Sequence, residues 1–488
     1  MQSNTPISVV WFKRDLRLQD NQALHAAWQA GNPVLPLYLF EPDIMRDPHY
    51  SERHWRFVWQ SLLDMEGQLA SHSANLHVSY SDALPFFERL REHYQNITIY
   101  SYEEVGLSIT YQRDKALKAW CQHAGVTWIE SPYAGVIRGL SHRRHWVNHW
   151  QQQMHSPVIE TPLSKINWLQ HKALVTRVPK TLSSRLHSAD PFMQSGGESH
   201  AHQQLQSFIS KRHRQYHKHI SSPLKSMESC SRLSPYLAWG NLSVKQVYQA
   251  VTSSTSPLPL SLQAFTSRLH WHCHFIQKFE SESEQEFRPV NTGYINFPFR
   301  TEQKALEQLT AWQEGNTGIP MVDACMRSLI KTGYLNFRMR AMLVSFLTHY
   351  LLLDWRHAAL HLAQQFLDFE PGIHYPQCQM QAGITGTNTL RIYNPVKQAQ
   401  DHDPQGDFIR KWVPEIAHLD NQDLFAPWQI PPLTKLTLDT SGLERYFTPI
   451  VIPEDAIAHH RDLLWAWRDR REVKQEAKRI LYRHSNPG

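Results

Sequence analysis

Cysteine is scarce in this chain: five among 488 residues, Cys121, Cys230, Cys273, Cys325 and Cys378, with no C-x-x-C pair. Such scatter argues against a disulfide framework, a zinc ribbon or an ordinary four-cysteine iron–sulfur centre, and reads as reduced thiols. Uninterrupted apolar runs of membrane-spanning length are missing too. The N-terminus lacks the charged region, apolar region and cleavage site of a signal peptide, because Ile7 to Phe12 is only strand-sized. The expectation is a cytoplasmic protein with no membrane partner. No G-x-G-x-x-G follows that first apolar run, which leads instead into Trp11-Phe-Lys-Arg-Asp-Leu-Arg-Leu-Gln-Asp-Asn21. The N-terminal part therefore carries no ordinary dinucleotide fingerprint, and a dinucleotide must be held elsewhere.

What is present suits a large globular protein. An apolar fraction of 41% supports buried cores, and the length implies two or three domains. The formal charge of +6 is compatible with a polyanion partner without requiring one. The 30 histidines make the charge sensitive to mild acid, and the 17 tryptophans suit ring stacking or electron passage, although large rings are more often core.

Residues 1–132 alternate short β-rich runs (Ile7–Phe12, Pro33–Phe40, Leu76–Tyr80, Ile97–Tyr100, Val126–Ile129) with helical patterns (Asn21–Ala30, Arg53–Leu69, Tyr111–Ala124). That alternation predicts a doubly wound α/β unit on a parallel sheet. Residues 133–225 accumulate Pro, Ser, His and Gln and read as an interdomain connector, with 190–202 as an exposed loop. Residues 226–488 show helical periodicity almost throughout, and the basic tail Trp465–Arg479 reads as one solvated helix. The fold class expected is α/β followed by all-α.

Several residues could carry chemistry. The loop Ser231, Arg232, Leu233 and Ser234 precedes a helix, where hydroxyls and N–H groups could hold a diphosphate; taken alone it is a capped helix. Arg340 and Asp368 come from different helices and could form a buried pair over a ring; taken alone they are an interhelical salt bridge. His270 and His274, four apart, have zinc-ligand spacing. They lack a partner acid and a second cluster, so no metal is expected.

In order along the chain, Trp312-Gln-Glu-Gly-Asn-Thr-Gly-Ile-Pro-Met-Val-Asp-Ala-Cys-Met-Arg327, Arg338-Met-Arg340, Asp354-Trp355-Arg356, Asp368 and Arg391-Ile-Tyr-Asn-Pro395 resemble the flavin cradle of the photolyase/cryptochrome family. Trp11–Arg17 resembles that family's antenna-domain opening, so the likeness spans nearly the whole chain. The resemblance implies FAD in the helical part, with light-driven electron transfer as the chemistry. It implies FAD contacts at Tyr216, Ser231, Arg232, Leu233, Ser234, Phe337, Arg340, Asp368, Glu370 and His374. A second, antenna chromophore, folate or deazaflavin, is left open.

The departures from the family pattern are informative. Where repair enzymes for cyclobutane dimers carry Trp-x-Trp, this chain has Cys378 and Met380, and His374 stands at the position facing the flavin N5. Arg268 replaces a lesion-binding glutamate, Trp271 matches a lesion-stacking tryptophan, and Asn336 and Phe337 replace the histidine region of (6-4) enzymes. In the family's chain of three electron-carrying tryptophans, Trp355 matches the middle member, Cys378 the inner and Glu302 the outer. The catalytic expectation thus rests on Trp355, Cys378 and His374, and substrate DNA is expected at Arg268, Trp271, Met380, Arg391 and Arg410. Two readings follow: a photolyase-like lyase, probably monomeric, acting on UV-damaged DNA, single- or double-stranded; or a cryptochrome-type photoreceptor with a signalling partner. An ordinary flavin oxidoreductase is disfavoured, since no nicotinamide fingerprint or catalytic cysteine pair is present.

Overall fold

The computed structural model describes residues 3–170, 177–436, 438 and 442–485. Five strands, β1 (Ile7–Phe12), β2 (Val34–Phe40), β3 (His77–Tyr80), β4 (Ile97–Tyr102) and β5 (Thr127–Ser131), form a parallel sheet in the order β3-β2-β1-β4-β5. β1 and β2 are buried at every position, as strands covered on both faces must be. The chain winds outward from β1 to β3 and returns to β4 beside β1. The strand order therefore reverses between β1 and β4, and this is where a crevice opens beyond their carboxyl ends.

The segment after β1 fills that crevice and latches the sheet to the helices beyond it. Arg14 donates Nε to Ala238 O (3.0 Å) and Nη2 to Phe369 O (2.5 Å), and pairs with Glu370 Oε2 at 3.2 Å. Arg17 donates Nη1 to Gly240 O at 3.0 Å. Gly240, at φ +72°, sits so close that a Cβ would fall 2.2 Å from Arg14 O, so only glycine allows this approach. Asn21 caps the helix Gln22–Gln29 by accepting from Leu24 N at 3.0 Å.

The segment read as an exposed loop at 190–202 is partly core. Gly196 lies against Phe57 O, and the buried Glu198 accepts from Leu18 N (2.9 Å) and Gln19 N (3.2 Å) before leading into the helix Glu198–Ser210. Leu205 and Phe208 of that helix share one apolar cluster with Val10, Phe57 and Val247, so this core runs from the sheet through the connector into the helices. The basic tail is likewise docked. It breaks into Pro453–Arg468 and Arg471–His484; the latter buries Val473 and Ile480, and Arg479, Arg483 and His484 all reach Glu282 Oε1. Within the helical part, the α-helix Phe337–Ser345 continues as a π-turn, Phe346–Tyr350. No helix among the described residues is long and apolar enough to cross a membrane.

Candidate functional site

The helices Leu260–Ser281 and Pro371–Gln381 cross at Gly372, where a Cβ would lie 3.0 Å from Ile276 Cα. Pro371 starts the second helix and the Glu370 side chain caps it by accepting from Gly372 N. This crossing fixes the face that carries His374 and Cys378.

Facing them is the Arg340–Asp368 pair, with the carboxylate side chain buried and the guanidinium partly exposed. Arg340 Nη2 donates to Asp368 Oδ2 at 2.8 Å, Nε donates to Leu335 O at 2.7 Å, and the guanidinium lies 3.8 Å from the Phe366 ring centre. Burial pushes the Asp368 carboxyl up, but Arg340, with Ser234 alongside, outweighs it and holds the group below its ordinary value. Asp368 Oδ1 is buried and meets no donor of the chain in hydrogen-bonding geometry. Leaving a buried acceptor unmade costs about 1–3 kcal/mol. The orphan oxygen beside a charged pair leaves room for a donor from outside the chain, which fits a ring bearing N–H groups such as a flavin.

Arg232 brings a second cation within reach of Asp368. It has φ +57°, its guanidinium lies 3.7 Å from the Tyr334 ring centre, and Gln194 Oε1 accepts from its Nη2 at 3.0 Å. Arg212 braces the loop by donating to Cys230 O and Ser231 O. Leu233 is buried, Ser231 Oγ accepts from Leu233 N at 3.4 Å, and Ser234 opens the short helix Ser234–Ala238. Tyr216 packs on Phe208 and Phe265, with its phenol beside Arg268. Tyr334 joins these groups: it neighbours Cys230, Arg232 and Arg340, and burial pushes its phenol up to about 12. Sequence reading missed Tyr334. Its only signal was an aromatic residue two positions before Asn336.

Of the residues expected to contact a flavin, Arg232, Ser234, Arg340 and Asp368 gather, with Tyr216 near them, whereas Glu370 and Phe337 lie apart from this group. Glu370 turns to Arg14 at the sheet, because that guanidinium is the cation within its reach. Phe337, first in its helix, is 46% exposed.

His374 Nε2 donates to Ala359 O at 2.8 Å, and burial holds the ring at about 4, so it is neutral near pH 7. Cys378 Sγ lies 3.7 Å from that nitrogen, and burial pushes its thiol up to about 12. Neither carries charge at the site. Trp355 is buried and meets Tyr375 edge-on at 6.3 Å. Glu302 is a helix N-cap paired with Arg300, so no ring stands there.

Of the residues expected at DNA, Arg268 and Trp271 are exposed a turn apart on Leu260–Ser281, Met380 is half-buried on the neighbouring helix, and Arg391 is exposed. Arg410 is otherwise engaged. It donates to Ala417 O (3.1 Å), Gln405 O (2.5 Å), Asn421 Oδ1 (2.9 Å) and Leu419 O (2.7 Å), closing a loop and leaving its donors committed. His270 packs its ring between Trp146 and Trp150, while His274 Nδ1 accepts from Arg143 at 2.7 Å. Among the described residues no three His, Cys, Asp or Glu side chains gather as a metal site.

The crevice between β1 and β4 is lined by Trp11, Tyr38, Tyr50, Trp55 and Trp239 around a charged network. Lys13 Nζ meets Asp114 Oδ2 (3.2 Å) and Glu104 Oε2 (3.4 Å), while Arg113 meets Glu41 (2.7 Å), Glu104 (3.1 Å) and Asp114 (2.8 Å).

Residues 265–466 match the family model described as the FAD binding domain of DNA photolyase, and residues 8–137 match the one described as DNA photolyase. The chain is 28% identical to a deoxyribodipyrimidine photo-lyase of Vibrio cholerae over 88% of its own length and 94% of the relative's. It is 26% identical to a cryptochrome DASH of Xenopus laevis, covering 93% and 91%. Among solved structures, a class III photolyase from Agrobacterium tumefaciens superposes with a TM-score of 0.81 at 25% identity, over 96% of this chain and 99% of that one. A Synechocystis cryptochrome, at 23% identity with a TM-score of 0.82 and covering 95% and 100%, shares the fold. With both family models matched in order along the chain, the chain belongs to the photolyase/cryptochrome family.

Proposed function

We propose that this protein holds one FAD in its helical part and uses blue light to repair UV-damaged DNA, as a photolyase-type lyase. The observation that carries the reading is Asp368, whose Oδ1 is orphaned while Oδ2 is held by Arg340. When bound, the flavin supplies light absorption and one-electron chemistry. The chain's residues set the conditions. Arg340 and Asp368 present a fixed donor–acceptor edge, Arg232 with Ser231 and Ser234 accommodates the diphosphate, and the neutral His374 and Cys378 add no charge beside the ring. Arg268, Trp271, Met380 and Arg391 form the side offered to DNA: the ring of Trp271 can stack on a base, and Arg268 and Arg391 can meet phosphates. In this reading residues 1–132 form the antenna-type unit, 133–225 the connector and 226–488 the FAD unit of a cytoplasmic monomer. A second chromophore would have to enter the crevice against the Lys13–Glu104–Arg113 network.

The alternative, a photoreceptor that signals without repair, draws on Cys378 and Met380, which stand where a lesion-repairing site would carry rings. Blue-light irradiation of the purified protein with UV-damaged oligonucleotides separates them. Loss of the lesion supports repair; flavin photoreduction with the lesion intact supports signalling.

A further inference from the structure

Tyr375 lies one position past His374 on the Pro371–Gln381 helix and is 3% exposed. Its phenol oxygen is 2.5 Å from His49 Nε2, and His49 Nδ1 is 2.6 Å from Asp47 Oδ1. A carboxylate only accepts, so Nδ1 carries the imidazole proton and donates it to Asp47. In the neutral imidazole Nε2 is then the bare nitrogen, and the Tyr375 phenol donates to it. His49 is buried and lies parallel to Phe369 at 5.8 Å, which fixes the ring for this role. Asp47, whose side chain is 13% exposed, connects the histidine to the surface. The other titratable groups facing the phenol are Glu286, Cys378 and Tyr50.

The same ring sits among aromatic neighbours. Tyr375 meets Trp355 at 6.3 Å, Phe279 at 5.9 Å and His374 at 5.7 Å. The Cys378 thiol offers no ring on that helix, so Tyr375 is the oxidisable aromatic that the helix itself carries, with Trp355 beside it. A phenol that loses an electron becomes strongly acidic, and a buried site disfavours the resulting charge. A base already hydrogen-bonded to the phenol removes that obstacle.

We propose that Tyr375 is a proton-coupled electron donor, with His49 as its base and Asp47 as the carboxylate that orients His49. One electron leaves the Tyr375 ring, the phenolic O–H bond breaks, and an N–H bond forms at His49 Nε2. The products are a neutral tyrosyl radical and an imidazolium held against the Asp47 carboxylate. The oxidant is the light-excited flavin of the proposed function, on which this inference rests. An external one-electron donor such as a thiol refills the hole, and the proton returns from Nε2.

Flash photolysis of the flavin-loaded protein, read by electron paramagnetic resonance and transient absorption, tests this. The native chain is expected to give a neutral tyrosyl radical that is absent in Tyr375→Phe. In His49→Gln it should form about a hundredfold more slowly, the scale of a lost general base. A tyrosyl signal that persists in Tyr375→Phe, or an unchanged rate in His49→Gln, overturns the proposal. Oxidation of the flavin-free full chain by a photogenerated ruthenium tris-bipyridine oxidant gives a readout without the flavin. A tyrosyl radical there that depends on Tyr375 and His49 supports the donor even if the flavin reading fails; one indifferent to both substitutions overturns it.

Discussion

In the crevice beyond β1 and β4, Glu41, Glu104 and Asp114 each meet Lys13 or Arg113, whereas in the cradle Asp368 keeps one oxygen without a partner. The carboxylates of both clusters are buried, and Arg14 pairs with Glu370, two positions past Asp368. A closed network of charge explains itself as structure, because each ion's desolvation is offset within the chain. A cluster with an orphan oxygen remains incomplete until something else supplies a donor. The contrast separates the closed Lys13–Arg113 network from the Arg340–Asp368 pair, while Arg14 Nη1, in the segment between sheet and helices, is likewise buried without a partner.

Removing Arg340 should have the largest effect. Arg340→Ala strips Asp368 of its one strong partner, and a buried carboxylate so exposed costs about 3–5 kcal/mol. Flavin content and denaturant melts should fall together, and a variant that keeps both would erase the distinction between cradle and crevice.

Lys13→Met tests the other side. Glu104 is raised by burial but brought down to about 2 by Lys13 and Arg113. Because its folded pKa lies below the ordinary 4.5, the stability it contributes is present above that value and lost as pH falls towards 2. The variant should be destabilised by about 3 kcal/mol near neutrality. Its deficit should shrink as pH drops through that window, with flavin content unchanged. A deficit that stays constant in acid would mean that Glu104 is not held by Lys13.

Arg410→Ala and Arg391→Ala sharpen the account of the DNA face. The first removes four hydrogen bonds to a loop, and at about 0.5–1.5 kcal/mol each for ordinary pairs it should lower Tm while leaving the salt dependence of DNA binding intact. The second, at an exposed position, should leave Tm alone and reduce the salt slope by about 1. An inverted result would return Arg410 to the phosphate rim.

Strand and helix identities were legible because they depend on local periodicity: alternating β-rich and helical runs to residue 132, then helical spacing. Arg340 and Asp368 were found from their motifs, and the structure brings them together as a pair. Arg410 and Glu370 have partners within the chain that their motifs did not announce, because a charged residue in a motif does not say which partner it will meet. Gln405, Ala417 and Leu419 lie near Arg410 in sequence, but whether their carbonyls converge on it is a property of the loop's path. The 190–202 segment looked like surface for a similar reason: Gly and Ser report permissive backbone, and only the approach of Phe57 O to Gly196 shows that the permission is used for burial.

By itself, the sequence determined the fold class and the order of its elements, since these follow from spacing along one chain. Tertiary structure alone decided that Trp11–Asn21 joins the sheet to the helices, that Tyr334 lies beside Arg232 and Arg340, and that Tyr375 hydrogen-bonds His49 across 326 positions. The physical reason is that a hydrogen bond or an unmet oxygen is fixed by convergence in space. Residues far apart in sequence acquire that convergence only when the sheet, the connector and the helices close on one another.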